Sequence, residues 1–334
     1  MLGSKLMLRG ATLAFAALLA ITAAMPRAEA APRGDGGSIR MMLNPAGTMS
    51  LLPFVVKKFK LDEKYGFKLE TLPYTNANTA TTAMQSKSAE MIVYEWLATA
   101  RIIDGGIPVV GVAPFMTYIN TVLVPVDSPI KTLADLKGKK LGVHSKVSFD
   151  WLIMQAAAKQ QFNIDLAKEV NIQEAAAPLL RGSIENGQLD ATQMWNSLAA
   201  DMIASGKYKD MLTIRSITEG MGIPTVPYLF FGMRADYVKE RPDNVKAFVA
   251  AYQDAYEILK TDGTVWEERG AEMKLSPAGI KAFRDQVRRD LVKKFEPGMN
   301  EAITKTFDII LKVAGPEVIG LSKAPAPMLS MDYQ

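Results

Sequence analysis

The sequence predicts an α/β fold of two lobes, each a mainly parallel sheet flanked by helices, and three observations lead there. Short apolar runs alternate with helical patterns of about 10–13 residues, the order that right-handed β-α-β units require. That order starts near Ile39 and restarts near Lys140. Two extended stretches, 117–126 (β-branched) and 224–233 (punctuated by Pro224 and Pro227), read as crossings between the lobes. The 334 residues leave room for two cores of about 150 residues each.

The chain opens on an address. Lys5 and Arg9 precede the apolar run Ala11 to Ala24, and Ala28-Glu29-Ala30 offers small residues where signal peptidase cuts. A charged start, about 7–15 apolar residues and an A-x-A end describe a secretory signal peptide, here 1–30, cleaved near Ala30. The run is shorter than the ~20 residues a membrane span needs. No Cys follows the site for lipid attachment. After a flexible lead-in at 32–37, strands are expected at 39–43 and 68–72 around a helix at 50–60. Next come a helix at 78–86, a strand at 91–94, a helix at 96–104 and a strand at 108–113. The restart gives strands at 140–143, 170–172, 191–194 and 211–214 with helices at 148–160, 178–186 and 197–205, and the chain is mostly helical from Pro242.

With two crossings, the first lobe is discontinuous, 38–117 plus 228–334, the second is 122–223, and the crossings form a hinge. The halves also echo each other. The stretch from Ala89 to Trp96 matches that from Leu189 to Asn196: an acidic residue, a short strand, then a large polar or aromatic pair opening a helix. The echo makes Glu95 and Trp195 equivalent, at the carboxyl end of a strand, which in open α/β sheets faces the ligand crevice.

Composition removes whole classes of chemistry. There is no cysteine and one histidine, so disulfides, thiolate metal sites and a cysteine nucleophile are excluded, and a catalytic triad would need His144 as its base. Net charge is +4, and losing residues 1–30 takes Lys5, Arg9, Arg27 and Glu29 with them, leaving +2. No basic stripe fit for nucleic acid results. Ser128-Pro129-Ile130-Lys131 matches S-x-x-K without its companion motifs, and Gly182 and Gly187 have phosphate-loop spacing with Gln188 where Lys is required. Asp62-Glu63 and Glu267-Glu268 are adjacent and so do not share a helix face.

The stretch Leu133-Ala134-Asp135-Leu136-Lys137-Gly138-Lys139-Lys140-Leu141-Gly142-Val143 resembles the segment that opens the second lobe of type II periplasmic solute-binding proteins of ABC importers. Thr132 caps one helical turn, Lys137-Gly138-Lys139 reverses the chain, and Lys140–Val143 starts a strand. Glu240-Arg241-Pro242-Asp243-Asn244-Val245, before a helix carrying Phe248, Ala251 and Ala255, is similar to the returning helix of that family. Its Pro242 suits a first turn, where no backbone donor is missed. The resemblance spans most of 39–315 and is nearest the nitrate/sulfonate/taurine branch, which includes pyrimidine-binding relatives of thiamine-precursor synthases. The loop Asn44-Pro45-Ala46-Gly47 lacks the Trp common in sulfonate binders.

Candidate ligand contacts follow. Ser145, Lys146 and Ser148 sit where a strand gives way to a helix, and free N–H groups, two hydroxyls and an ammonium there suit an anion; the plainer reading is a Ser148 cap with a solvated Lys146. His144 reads as a packed strand-end histidine. Glu95 and Trp96, beside Tyr94, offer a carboxylate among rings for an amine or heterocycle, against a simple helix-start acid. Trp195 and Asn196 are their counterparts in the second lobe. Asn76, with Asn78 and Thr79, opens a helix where capping is equally expected. The resemblance adds Asn44 and Thr48 after the first strand and Thr117, Tyr118 and Tyr228 at the crossings.

What the resemblance implies is a periplasmic substrate-binding protein of an ABC importer, monomeric, without cofactor, metal or catalysis. It would capture a sulfonate- or taurine-like anion or zwitterion between the lobes and present the closed form to a permease. The alternatives are a sensor or accessory binding protein of the same fold, and a pyrimidine-precursor binder or synthase relative.

Overall fold

In the computed structural model the described residues are 32–334 apart from positions 46, 75, 76 and 119, with Ala77 and Asn78 described by backbone alone. The signal-peptide expectation for 1–30 and the candidate Asn76 lie outside them. Ten strands among these residues form two five-stranded sheets. The first holds β1 (Ser38–Leu43), β2 (Lys68–Pro73), β3 (Met91–Glu95), β4 (Val109–Met116) and, from far along the chain, β10 (Leu229–Arg234). The second holds β5 (Thr121–Pro125), β6 (Lys140–Val143), β7 (Asn171–Glu174), β8 (Ala191–Met194) and β9 (Tyr208–Thr213).

Their orders are β2-β1-β3-β10-β4 and β7-β6-β8-β5-β9. Each sheet thus repeats one plan, in which a crossing strand is inserted between the third and fourth strands of a β-α-β series. β1 pairs parallel with β2 and β3, and β6 with β7 and β8. The inserted strands run antiparallel to both neighbours, β10 against β3 and β4 and β5 against β8 and β9. The inner parallel strands β3, β6 and β8 are mostly buried, as expected where helices cover both faces of a sheet, while the edge strands β2 and β7 are largely exposed.

Local chemistry places the helices. Ser148 caps the helix Phe149–Phe162 by accepting the Trp151 N–H, and Thr132 with Asp135 forms a capping box on the turn Leu133–Leu136. Glu95 and Trp195 both stand in extended conformation immediately before their helices, Trp96–Asp104 and Asn196–Ala204. The echo between the halves is therefore a repeated strand-to-helix corner.

The C-terminal helices tie the sheets together. The helix Pro277–Asp290 packs on Asn196–Ala204, and Met299–Ile319 packs on Phe149–Phe162. At the first of these contacts the Ser276 N–H and hydroxyl both donate to Asp201, at 2.9 and 2.8 Å. A Cβ on Gly279 would lie 2.5 Å from Asp201 Oδ1, so only glycine permits this approach. The last helix is broken at Gly315, whose φ of 76° precedes Pro316. Trp96, Tyr118, Phe149 and Tyr228 form an aromatic knot, with Tyr118 stacked on Phe149 at 5.2 Å and Trp96 tilted against Phe149 at 5.4 Å.

Candidate functional site

A cavity of about 650 Å³ is walled by the loops that follow the parallel strands of both sheets. Asn44, Gly47, Thr48 and Met49 come after β1, Tyr74 after β2, and Tyr94 and Glu95 end β3. The second sheet contributes His144, Ser145, Val147 and Ser148 after β6, Glu174 and Ala176 at the end of β7, and Trp195 and Asn196 after β8. Because β5 and β10 run in reverse, their beginnings face the same edge, and these supply Asn120 and Tyr228. The size lies within the range of small-molecule sites, and it occupies the crevice at the carboxyl ends of the strands.

The two walls touch. The Thr48 hydroxyl donates to Asn196 Oδ1 across 148 residues of sequence, and both residues are buried. Gly47 lies against the Trp195 ring, from which an added Cβ would be 4.0 Å.

Of the sequence candidates, Asn44, Thr48, Glu95, Ser145, Ser148, Trp195, Asn196 and Tyr228 line the cavity. Four others do not. Trp96 is fully buried, because the first helical residue after the Glu95 corner turns into the aromatic knot. Tyr118 is buried in the same knot, stacked on Phe149. Thr117 is engaged at the crossing, its N–H donating to the Asp290 carbonyl and its hydroxyl accepting from Arg215 at 2.5 Å. Lys146 is exposed, with its N–H donating to Glu174 at 3.2 Å, so the loop brings a carboxylate beside the expected anion contact. Ser148 reaches the cavity but its hydroxyl serves the helix cap and donates to the Ser145 carbonyl at 2.8 Å.

The cavity residues that sequence reasoning missed include Arg101, Tyr74, Asn120 and Glu174; His144 was read as packed and Tyr94 only as a neighbour of Glu95, and both line the cavity. Ala98, Arg101 and Ile102 recur at i, i+3 and i+4 on the helix Trp96–Asp104, a periodicity that puts them on one face and could have been read. The Arg101 Nε donates to the Ile319 carbonyl at 2.6 Å, while its Nη2 is buried without a hydrogen-bond partner. A guanidinium remains charged even though burial lowers its pKa.

Glu95 is the other pole of this wall. Burial pushes its pKa up to about 8; Arg101 and the N–H groups of Phe149 and Ala98 pull down, and Asp150 pushes up. Its Oε2 has no hydrogen-bond partner. Asp150, also buried, accepts from Asn120 at 2.5 Å and Tyr228 at 3.4 Å and sits 3.6 Å from His144 Nε2. Burial raises the Asp150 pKa and lowers that of His144, each opposed by the other's charge. Among the described residues no group of three or more His, Cys, Asp or Glu side chains is arranged to hold a metal ion.

Two lobes of common topology with a walled crevice between their strand ends define the periplasmic-binding-protein fold. The chain belongs to the NMT1/THI5-like family, whose model matches residues 63–262. The fold is shared with the alkanesulfonate-binding protein SsuA of Xanthomonas axonopodis pv. citri, solved bound to MOPS, at a TM-score of 0.71 and 16% identity over 88% of this chain and 98% of that one. SsuA of Escherichia coli follows at 0.69, 16% identity, 85% and 94% coverage. The nitrate-binding protein NrtA of Synechocystis PCC 6803 gives 0.55, 15% identity, 76% and 69% coverage. A provisionally named binding protein of Brucella abortus is 25% identical over 197 residues, 58% of each chain, so the match spans little more than half of that relative's length.

Proposed function

We propose that this protein is the substrate-binding component of an ABC import system, exported to the periplasm, and that it captures a small organic anion between its lobes without transforming it. The observation that carries the reading is the cavity itself, walled from both sheets and bridged by the Thr48–Asn196 hydrogen bond. Contacts to both lobes let a ligand stabilise the closed form, and a permease can recognise that form; binding and closure are the whole task. The unpartnered Arg101 nitrogen supports an anionic ligand. The fold neighbours named for sulfonate and nitrate binding support an anionic solute.

The test uses protein recovered from the periplasmic fraction of cells expressing the full chain, unfolded and refolded to strip carried-over solute. A thermal-shift panel would include alkyl and aryl sulfonates, taurine, nitrate, aromatic carboxylates and pyrimidines. A ligand at about 100 times its Kd stabilises by about 2.7 kcal/mol, enough to resolve. The expected result is a shift with one anion class and recovery of that compound unchanged. Chemical turnover of the compound, or absence of the protein from the periplasmic fraction, would overturn the reading.

A further inference from the structure

We propose that the cavity selects an anion carried on an aromatic ring, its acidic group held by the Arg101 guanidinium together with the Glu95 carboxyl and its ring packed among Tyr74, Tyr94, Trp195 and Tyr228. This rests on the binding-protein reading and narrows it to a ligand class. Three features of the wall carry it.

The first is size: a cavity of about 650 Å³ belongs to the range of ligands that bury an extended organic body, far beyond a four-atom anion. The second is the lining. Each sheet's loops bring one edge-to-face ring pair, Tyr74 with Tyr94 at 6.1 Å from the first and His144 with Trp195 at 6.4 Å from the second. A third ring packed against such pairs can take the offset or edge-to-face geometries that aromatic groups prefer, a gain beyond the area buried that an alkyl chain lacks. The third is the pair of polar side chains that line the same wall, Arg101 and Glu95, each with one buried atom, Nη2 and Oε2, that lacks a hydrogen-bond partner. An oxyanion accepts from the guanidinium as a charge-assisted bond.

Glu95 complements an anion as a neutral acid, donating its O–H. The groups that act on it are Arg101 on its own helix, Tyr94 beside it on β3, Asp150 from the helix Phe149–Phe162, and Tyr118 and Tyr228 from the crossings. Burial and the Asp150 charge favour the protonated form, and with a pKa of about 8 the acid is mostly neutral at pH 7. An ammonium-bearing ligand would instead require Glu95 ionised.

The experiment is isothermal titration of the stripped protein with 2-naphthalenesulfonate and 2-naphthoate, against hexanesulfonate and taurine. The naphthyl anions should bind at least about tenfold more tightly than hexanesulfonate, and Arg101→Gln should cost them about 10–100-fold, the loss of a charged hydrogen bond. Arg101→Lys, which keeps the charge and loses the planar fork, should recover part of that loss. Affinity for the naphthyl anions should hold steady below pH 8 and fall above it, and Glu95→Gln should remove that fall. Equal or tighter binding of hexanesulfonate or taurine, or equal affinity of the wild type and Arg101→Gln, overturns the aromatic-anion assignment. No binding of either naphthyl anion overturns it as well. In each case mass spectrometry of the solute released from unstripped protein decides separately whether the binding-protein reading stands: a small molecule of another class keeps it, and none removes it.

Discussion

Glu95 turns the buried wall into a measurable pH dependence of stability. In the unfolded chain its carboxyl has the ordinary value of 4.5, and in the folded protein about 8. Below the first value both states are protonated and the group is silent. Between the two the folded state holds a proton that the unfolded state has released, so stability falls as pH rises, by about tenfold in the folding equilibrium per pH unit. The accumulated cost is about 3 kcal/mol by pH 7 and levels near 5 kcal/mol above pH 8, order-of-magnitude figures from linkage. Glu95→Gln keeps the shape and removes the charge. Other groups titrate in both proteins, so the informative quantity is the difference in Tm between variant and wild type, measured without ligand from pH 4.5 to 9. It should lie near zero at pH 4.5, climb through neutrality and level above pH 8. At about 2 °C per kcal/mol for a unit of this size, the plateau is on the order of 5–10 °C in favour of the variant. A difference flat across this range would refute the reasoning, because it would mean that the carboxyl has the same affinity for its proton folded and unfolded.

Thr48→Val removes the bond between the walls and strands the buried Asn196 Oδ1; ligand dissociation in stopped flow should accelerate by about 5–30-fold, with the association rate little changed. Gly279→Ala should lower stability in urea unfolding by about 1–3 kcal/mol, since its Cβ meets Asp201 at 2.5 Å and the backbone at 3.0 Å. Asp290→Asn deprives Arg215, 2.6 Å away, and Arg289, 2.9 Å away, of a fully buried carboxylate. The cost should be about 1–3 kcal/mol in the same assay, less than for a wholly buried pair because both arginines are partly exposed. Lys146→Ala should change ligand affinity less than about twofold, as expected of an exposed charge that water screens.

The alternation of strands and helices was legible where a strand is a short apolar run followed by a capping or turning residue, as in β1, β3 and β6. The strand Lys140–Val143 and the helix Trp96–Asp104 fall where the pattern puts them. The corners at Glu95 and Trp195 were legible too, since a repeated local sequence makes a repeated local geometry. The site was only partly so. Lys146 looked like an anion contact because its loop was read alone. The pairing of β6 with β7 sets Val143 opposite Glu174 and so delivers a carboxylate to that loop, a long-range fact absent from the local pattern. Ser148 carried two readings, and the helix claimed its hydroxyl. Trp96 and Glu95 are neighbours in sequence, yet one is packed into the knot and the other lines the cavity, because the chain changes from strand to helix between them. Arg101 is the single basic residue of its helix, and although the periodicity sets it on one face with Ala98 and Ile102, which way that face turns relative to the crevice is settled by packing.

The insertion of β10 between β3 and β4 also dictates an order of assembly. The second sheet is drawn from one uninterrupted stretch of chain, Thr121 to Thr213, and can complete its pairing as soon as that stretch exists. The first cannot: β3 and β4 have no direct ladder, and both await a strand that lies beyond the whole of the second sheet. Pairings of such high sequence separation are slow to form. Until Leu229–Arg234 arrives, the apolar strands β3 and β4 each lack the partner they pair with in the finished sheet. A chain truncated before β10 would therefore carry a finished second sheet beside a sticky, half-built first one, and the helices after β10 would be the last to lock the two in place.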